Sequence, residues 1–293
     1  MHARTEGLVA IYTAMVLLAI NGVLSKTIPL DAITVTCLRC GIAFFALLAF
    51  ALWQNQPWGF ITLRQRCLVV GLGVLMGIHW SCFFKGMQVS TVAIGILAHY
   101  TTPVVTVTLE PLLDRQLPKR ADVIAALLVL VGLGIMVPQW HWGSQTLWGI
   151  FFGVCSALTL ASRNVFQRRW LNNTSSVQSM VTQVGVAALV CAPFSRFDQL
   201  GPLTTTDWWL ILGLGLVSTA FAHTLIVVSL RHLAAKSVSL ISCFQPPLAI
   251  VLGWLALNET PNLNTLIGGG LILGCAFYEA LKQSGPANDI KAD

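Results

Sequence analysis

The chain is written in long apolar blocks separated by short polar or basic breaks. About 20 mostly apolar residues suffice for a helix to cross a hydrocarbon layer. Ten such runs are expected, over residues 7–25, 32–53, 67–85, 91–112, 121–138, 146–166, 176–194, 207–229, 237–257 and 263–281. They are continuously apolar and do not alternate, which predicts helices and not the strands of a barrel. Ten spans use about 200 residues, so the connections are short and leave no room for a soluble catalytic domain. The first run is long for a secretion signal and lacks a small-residue cleavage site, so it reads as the first span.

Composition agrees. Hydrophobic residues make up 56% of the 293 and charged residues 10%, against roughly a quarter charged in a soluble domain. The net charge of +6 raises nucleic-acid binding, but Lys and Arg sit at the ends of apolar runs and not in a stripe interleaved with aromatics, which argues against it. Their sidedness is informative. Of the 17 Lys and Arg residues, Lys26, Lys85 and Arg196 fall on one side, Arg39 lies inside a span, and the other 13 fall on the opposite side. By the positive-inside rule both termini face the cytoplasm, in a multi-pass protein of the inner membrane. Trp53, Trp58, Trp140, Trp142, Trp148, Trp208 and Trp209 lie near span ends, as an interfacial aromatic belt requires. The 8 Cys fall mostly inside apolar runs, where Cys packs as a small hydrophobe. The Cys37-x-x-Cys40 spacing lies within a span and reads as packing. No Cys/His ligand cluster and no cofactor motif is seen.

The two halves resemble each other at an offset of about 142–144 residues. Leu38-Arg39-Cys40-Gly41 aligns with Thr182-Gln183-Val184-Gly185, and Gly71-Leu72-Gly73 with Gly213-Leu214-Gly215. Thr102-Pro103 aligns with Gln245-Pro246, and Leu117-Pro118 with Thr260-Pro261. Each half then holds five spans, and an odd number inserts the second copy upside down. The expected architecture is all-α, a first five-helix repeat over 1–144, an inverted second over 145–281, and a cytoplasmic tail over 282–293. Inverted repeats recur in secondary transporters, where two opposed halves rock about a midplane site. The plainer reading is a duplication kept only for packing.

The second half carries Thr219-Ala220-Phe221-Ala222-His223, Ser229-Leu230-Arg231, Phe244-Gln245-Pro246-Pro247, Leu257-Asn258-Glu259-Thr260-Pro261 and Gly268-Gly269-Gly270. In this order they resemble an EamA repeat of the drug/metabolite transporter superfamily. The first half is similar through Leu38-Arg39, Thr102-Pro103 and Gln116-Leu117-Pro118, so the resemblance covers essentially the whole chain. It implies a metabolite exporter, with amino acids a frequent substrate class and drugs, sugars and nucleotide sugars as others. Two positions depart from the family pattern. Gln116 stands where Glu is common, and Gln245 precedes Pro246 where Glu or another polar residue is common.

Polar groups inside spans are costly and face a cavity or each other. Arg39, His79 and His99 come out at similar depths of about 10 Å from the outer side, at 1.5 Å per residue. Arg39 has two readings: a two-pronged grip on a substrate carboxylate, or a structural role bonding helix-end carbonyls. His79-Trp80 and His99-Tyr100 are candidate lining residues, their rings offering an apolar face and a polar edge. Ordinary helix packing is the alternative. His99, Pro103, Thr106 and Glu110 share one helical face, and Pro103 frees the carbonyl of residue 99. Ser239, Ser242 and Pro246 share a face on span nine, with Gln245 beside them. Substrate-binding candidates are thus His79, Trp80, His99, Tyr100, Ser242 and Gln245. Path or gate candidates are Asn21, Arg39, Pro103, Glu110, His223 and Pro246.

No G-x-x-x-x-G-K-[ST] loop occurs, so an ATP-driven pump within one chain is unsupported. Exchange, the substrate's own gradient, or proton coupling (through Glu110, for instance) remain as driving forces. A lipid-modifying membrane enzyme would need a nucleophile, metal cluster or acid–base pair at matching depth, and only the histidines hint at one. A channel would leave a continuous polar face on several spans, which is not seen. The leading expectation is a carrier of a small-molecule substrate, embedded in the lipid bilayer and working by alternating access.

Overall fold

The structure, a computed structural model, describes residues 2–55, 62–113, 115–117, 120–137, 144–171, 176–232 and 241–282. Among these the ordered elements are all helical. They are α1 (His2–Ala19), α2 (Asn21–Thr27), α3 (Ala32–Trp53), α4 (Leu63–Val89), α5 (Val92–His99), α6 (Thr102–Leu113), α7 (Arg120–Ile135), α8 (Gln145–Trp170), α9 (Ser176–Cys191), α10 (Thr205–Gly213), a π-helical segment (Leu214–Phe221), α11 (Ala222–His232), α12 (Gln245–Leu257) and α13 (Leu263–Lys282). Among the described residues, seven helical runs are long and apolar enough to cross a membrane, and α12 and most of α13 form two shorter apolar helices.

Helix starts follow local chemistry. Asp31 caps α3 by accepting from the amides of Ile33 and Thr34 at 3.0 and 3.2 Å. Thr91 caps α5 through the Ile94 amide, and Ser144 caps α8 through that of Leu147, both at 3.2 Å. Thr62 with Gln65 and Thr204 with Asp207 close reciprocal capping boxes.

The outer surface is apolar. Helix α7 buries Ala125, Val129 and Gly132 while leaving Ile124, Leu127, Leu130 and Val131 exposed. That arrangement suits lipid as the surrounding medium. Helix α4 packs on α8 and α9, α3 on α9 and the π segment, and α1 on α11. Helices α5 and α6 pack on α8, α1 and α2 on α12, and α7 on α13. Small residues permit the closest approach: a Cβ on Gly132 would lie 2.9 Å from the carbonyl oxygen of Gly268, so α7 and α13 touch backbone to backbone.

Three helical runs are interrupted. The first changes at Ile20, between α1 and α2. The fourth breaks at Tyr100–Thr101, and Pro103 opens α6 in its first turn, where a missing N–H costs nothing. The carbonyl that this break frees, that of His99, accepts from the Thr102 hydroxyl at 2.6 Å. In the eighth, the π segment widens the turn over eight residues. Such widenings inside α-helices concentrate at functional sites.

Candidate substrate site

The breaks converge on one cavity of about 450 Å³. Its walls come from α1, α2, α3, α4, α5, α6, α8 and α11, with Ser242 and Gln245 at the start of α12. Ten of the twelve residues named from the sequence line it: Asn21, Arg39, His79, Trp80, His99, Tyr100, Pro103, His223, Ser242 and Gln245. Pro246 is buried in the first turn of α12 and is not among the lining residues. It starts the helix, and the polar residue ahead of it reaches the cavity. The Glu110 side chain lies outside the described residues, as do Ser239, Trp58, Trp140 and Trp142.

Arg39 dominates the electrostatics. It is 1% exposed, and among the described lining residues it is the one with a permanent charge. Its Nε donates to Thr219 Oγ1 of the π segment at 3.0 Å. Thr219 in turn donates to the carbonyl of Leu214 at 2.8 Å, so the widened turn aims a hydroxyl at the guanidinium. The guanidinium carbon sits 4.8 Å from the Trp80 ring centre and 5.0 Å from that of Phe84, cation–π distances. Nη1 is buried without a hydrogen-bond partner, and so is Nε2 of His223, whose ring lies 6.1 Å from Trp80. Beside them the Ser218 hydroxyl donates to Asn21 Oδ1.

A second part of the lining is a histidine pair. The rings of His79 and His99 lie 5.2 Å apart and both contact Phe83. Ser156 of α8 joins them. Nδ1 of His79 is 3.1 Å from the Ser156 carbonyl and 2.9 Å from its hydroxyl, and that hydroxyl is 3.1 Å from Nδ1 of His99. A carbonyl only accepts, so His79 carries its proton on Nδ1. The Ser156 hydroxyl then donates to His99, which as a neutral ring holds its proton on Nε2. The pair therefore keeps one accepting nitrogen, on His79, and one donating nitrogen, on His99. Tyr100 ties the break in the fourth run to the start of α12. Its hydroxyl is 2.7 Å from the carbonyl of Ser242 and 3.0 Å from Gln245 Oε1.

Both halves of the chain match one family model, described as the EamA-like transporter family, over residues 5–137 and 147–278. The chain belongs to the EamA-like transporter family. It is therefore a multi-pass membrane transporter, as the apolar helices require. Among its relatives, an uncharacterized transporter, YxxF, of Bacillus subtilis is 23% identical over 97% of this chain and 93% of its own length. The threonine/homoserine exporter RhtA of Escherichia coli is 25% identical over 84% of this chain and 81% of its own. The pseudopaline exporter CntI of Pseudomonas aeruginosa is 25% identical over 69% and 70%. A crystal structure with 18% identity superposes with a TM-score of 0.62 over 97% of this transporter and 99% of that chain, which supports the fold alone. Two of these relatives, RhtA and CntI, are named as exporters.

Several lining residues were not singled out from the sequence. Met15, Leu18, Met76, Phe83 and Leu160 are apolar residues in apolar runs and carry no signal. Ser156, Ser218 and Thr219, which bond lining residues without being among them, are small polar residues within spans. Their role appears only when the helices that they face are known.

Proposed function

We propose that the protein exports amino acids and closely related carboxylates across the inner membrane by alternating access. Ten spans with both termini in the cytoplasm fit the 13 basic residues on one side. Two inverted units, 1–144 and 145–281 with a tail over 282–293, fit the packing. Exchanging the halves turns α4 on α8 into α11 on α1, α4 on α9 into the π segment on α3, and α5 and α6 on α8 into α12 on α1. The contacts of α3 with α9 and of α7 with α13 map onto themselves. The helix ends match too. Arg115 and Asn258 are both left-handed, with φ of 56°, and each precedes one of the aligned residues Gln116 and Glu259. A site enclosed by walls from both units is what a rocking motion can open to either side in turn.

The observation that carries the substrate class is the Arg39 corner. A buried charge without a countercharge is costly, and here the described lining residues supply no carboxylate. The substrate supplies it. A carboxylate would meet Arg39 Nη1 and His223 Nε2, the two polar atoms left without partners. The bare nitrogen of His79 and the accepting oxygens of Ser242 and Gln245 suit an ammonium group, and Met15, Met76 and Phe83 suit a short side chain.

Counterflow in proteoliposomes tests this reading. Labelled amino acids are offered against an internal pool of the same solute. Saturable uptake, competed by other amino acids and not by their carboxamides, is expected. Folded, inserted protein that exchanges none of the panel would overturn the amino-acid assignment and leave the transporter family standing.

A further inference from the structure

Beyond Tyr100 and Phe83 an ion pair ties several elements together at one end of the molecule. Lys26, near the end of α2, places Nζ 2.5 Å from Glu259 Oε1 and 2.5 Å from the carbonyl oxygen of Ser90. Glu259 follows α12, and its other oxygen accepts the Val92 amide at 2.8 Å, in the first turn of α5. One carboxylate thereby ties α2, the α4–α5 turn and the α12–α13 connection. Gln88 adds a second stitch, donating to the carbonyls of Ser25 and Leu30 at 3.0 and 2.9 Å.

Each of these elements runs from the cavity to the ion pair. Helix α2 goes from Asn21 to Lys26, α4 from Phe83 to Ser90, α5 back from His99 to Val92, and α12 from Gln245 towards Glu259. Seven residues of helix span about 10 Å. That interval is filled by Ile28, Met87, Val92, Ile96 and Leu97, each 2% exposed or less. Val92 is the point of convergence. A Cβ on Gly253 of α12 would stand 3.3 Å from Val92 Cβ, and one on Gly22 of α2 would overlap a Val92 methyl.

We infer that Lys26 and Glu259 are the gate residues of the outer end: the pair holds the apolar plug closed and parts when the cavity opens outward. The assignment rests on the alternating-access reading. No passage can open between α2, α5 and α12 without separating Lys26 from Glu259 or pulling Glu259 off α5. The side chains of the pair are 22% and 16% exposed. Water can therefore replace the contacts as they break, which suits a closure that must open and reform.

The test reads accessibility and needs no substrate. Leu18 lines the cavity from α1. L18C in the full chain, in proteoliposomes of defined orientation, is labelled with a membrane-impermeant maleimide from either face. Peptide-level mass spectrometry separates it from the native cysteines. Labelling from the outer face is expected to be slow in L18C alone and about fivefold faster when K26M or E259Q is added. The charge-swapped pair K26E/E259K restores the ion pair but not the bonds to the Val92 amide and the Ser90 carbonyl, so it is expected to restore the slow rate only in part. K26M keeps the Glu259 cap on α5, so it carries the test where E259Q fails to fold. An outer-face rate unchanged in folded K26M would overturn the gate. Acceleration only from the opposite face would keep the pair as a gate and overturn its sidedness. Failure of the transport reading shows separately, as absent counterflow with the accessibility change intact.

Discussion

Arg39 and Gln183 occupy positions that the two halves align, and both are buried to within 1%. Their surroundings differ. Gln183 is fully engaged: Oε1 accepts from Arg163 Nε at 2.8 Å, and Nε2 donates to Gln167 Oε1 at 2.9 Å and to Ser179 Oγ at 2.7 Å. Arg39 is under-engaged. It bonds Thr219 across the halves, leans on Trp80 and Phe84, and leaves Nη1 with no partner. One half uses the position to close a polar network inside the protein. The other uses it to hold a charge beside a cavity. A repeat can keep its backbone plan while one copy of a buried polar residue is released from structural duty, and unmet hydrogen-bonding capacity marks which copy that is.

The sharpest way to break this comparison is Arg39→Gln, which gives the first half the side chain of the second. Hydrogen bonds to charged groups contribute about 1.5–3 kcal/mol, so carboxylate counterflow is expected to fall by about 10- to 100-fold. The protein should still insert and remain monodisperse. Normal transport by this variant would make Arg39 a structural residue like its counterpart. Gln183→Ala is the reciprocal change. It leaves Arg163 Nε without its acceptor and is expected to cost about 1–3 kcal/mol of stability, read as a lower thermal midpoint, with substrate affinity unchanged. A change in affinity with no loss of stability would reverse the two roles.

Ser156→Ala probes the histidine pair. Removing the hydroxyl leaves Nδ1 of His99 without its donor and frees that ring to turn, while His79 keeps its bond to the backbone carbonyl of residue 156. The loss is worth about 1 kcal/mol, so half-saturation is expected to rise about fivefold with the maximal rate little changed. Unaltered half-saturation would mean that the histidines pack without touching substrate.

These residues also show which features of the site are legible in the amino-acid sequence. Proline acts by a local rule, so Pro103 announces the helix break and the freed carbonyl of His99 from sequence alone. Charges and rings inside apolar runs are conspicuous because burying them is costly, which is why Arg39, His79 and Trp80 stand out. The same proline rule assigns Pro246 the wrong duty. It starts α12, while Gln245 before it reaches the cavity. The π segment has no local signature, since Leu214–Phe221 contains no proline and its wide turn goes with Thr219 bonding both Leu214 and Arg39. Ser156 is equally silent. A serine in an apolar span is ordinary until two histidines from α4 and α5 are brought within 3.1 Å of its hydroxyl.

Gln116→Glu gives the smallest expected effect and asks whether the two ends of the protein differ as their sequences do. Glu259 is held because Lys26 and the Val92 amide both converge on it. Gln116, its counterpart, is exposed, and its own amide bonds the carbonyl of Pro111 at 2.9 Å. A carboxylate installed there would sit in solvent beside Arg115, where exposed ion pairs contribute about 0–1 kcal/mol. Counterflow is expected to stay within about twofold of the parent, and the inner-face labelling rate of L18C is expected to be unchanged. A fall of about fivefold in both would show that the inner end can build the same latch once it is given the acid. The lone acid at Glu259 would then be what makes the outer end the one that is held closed.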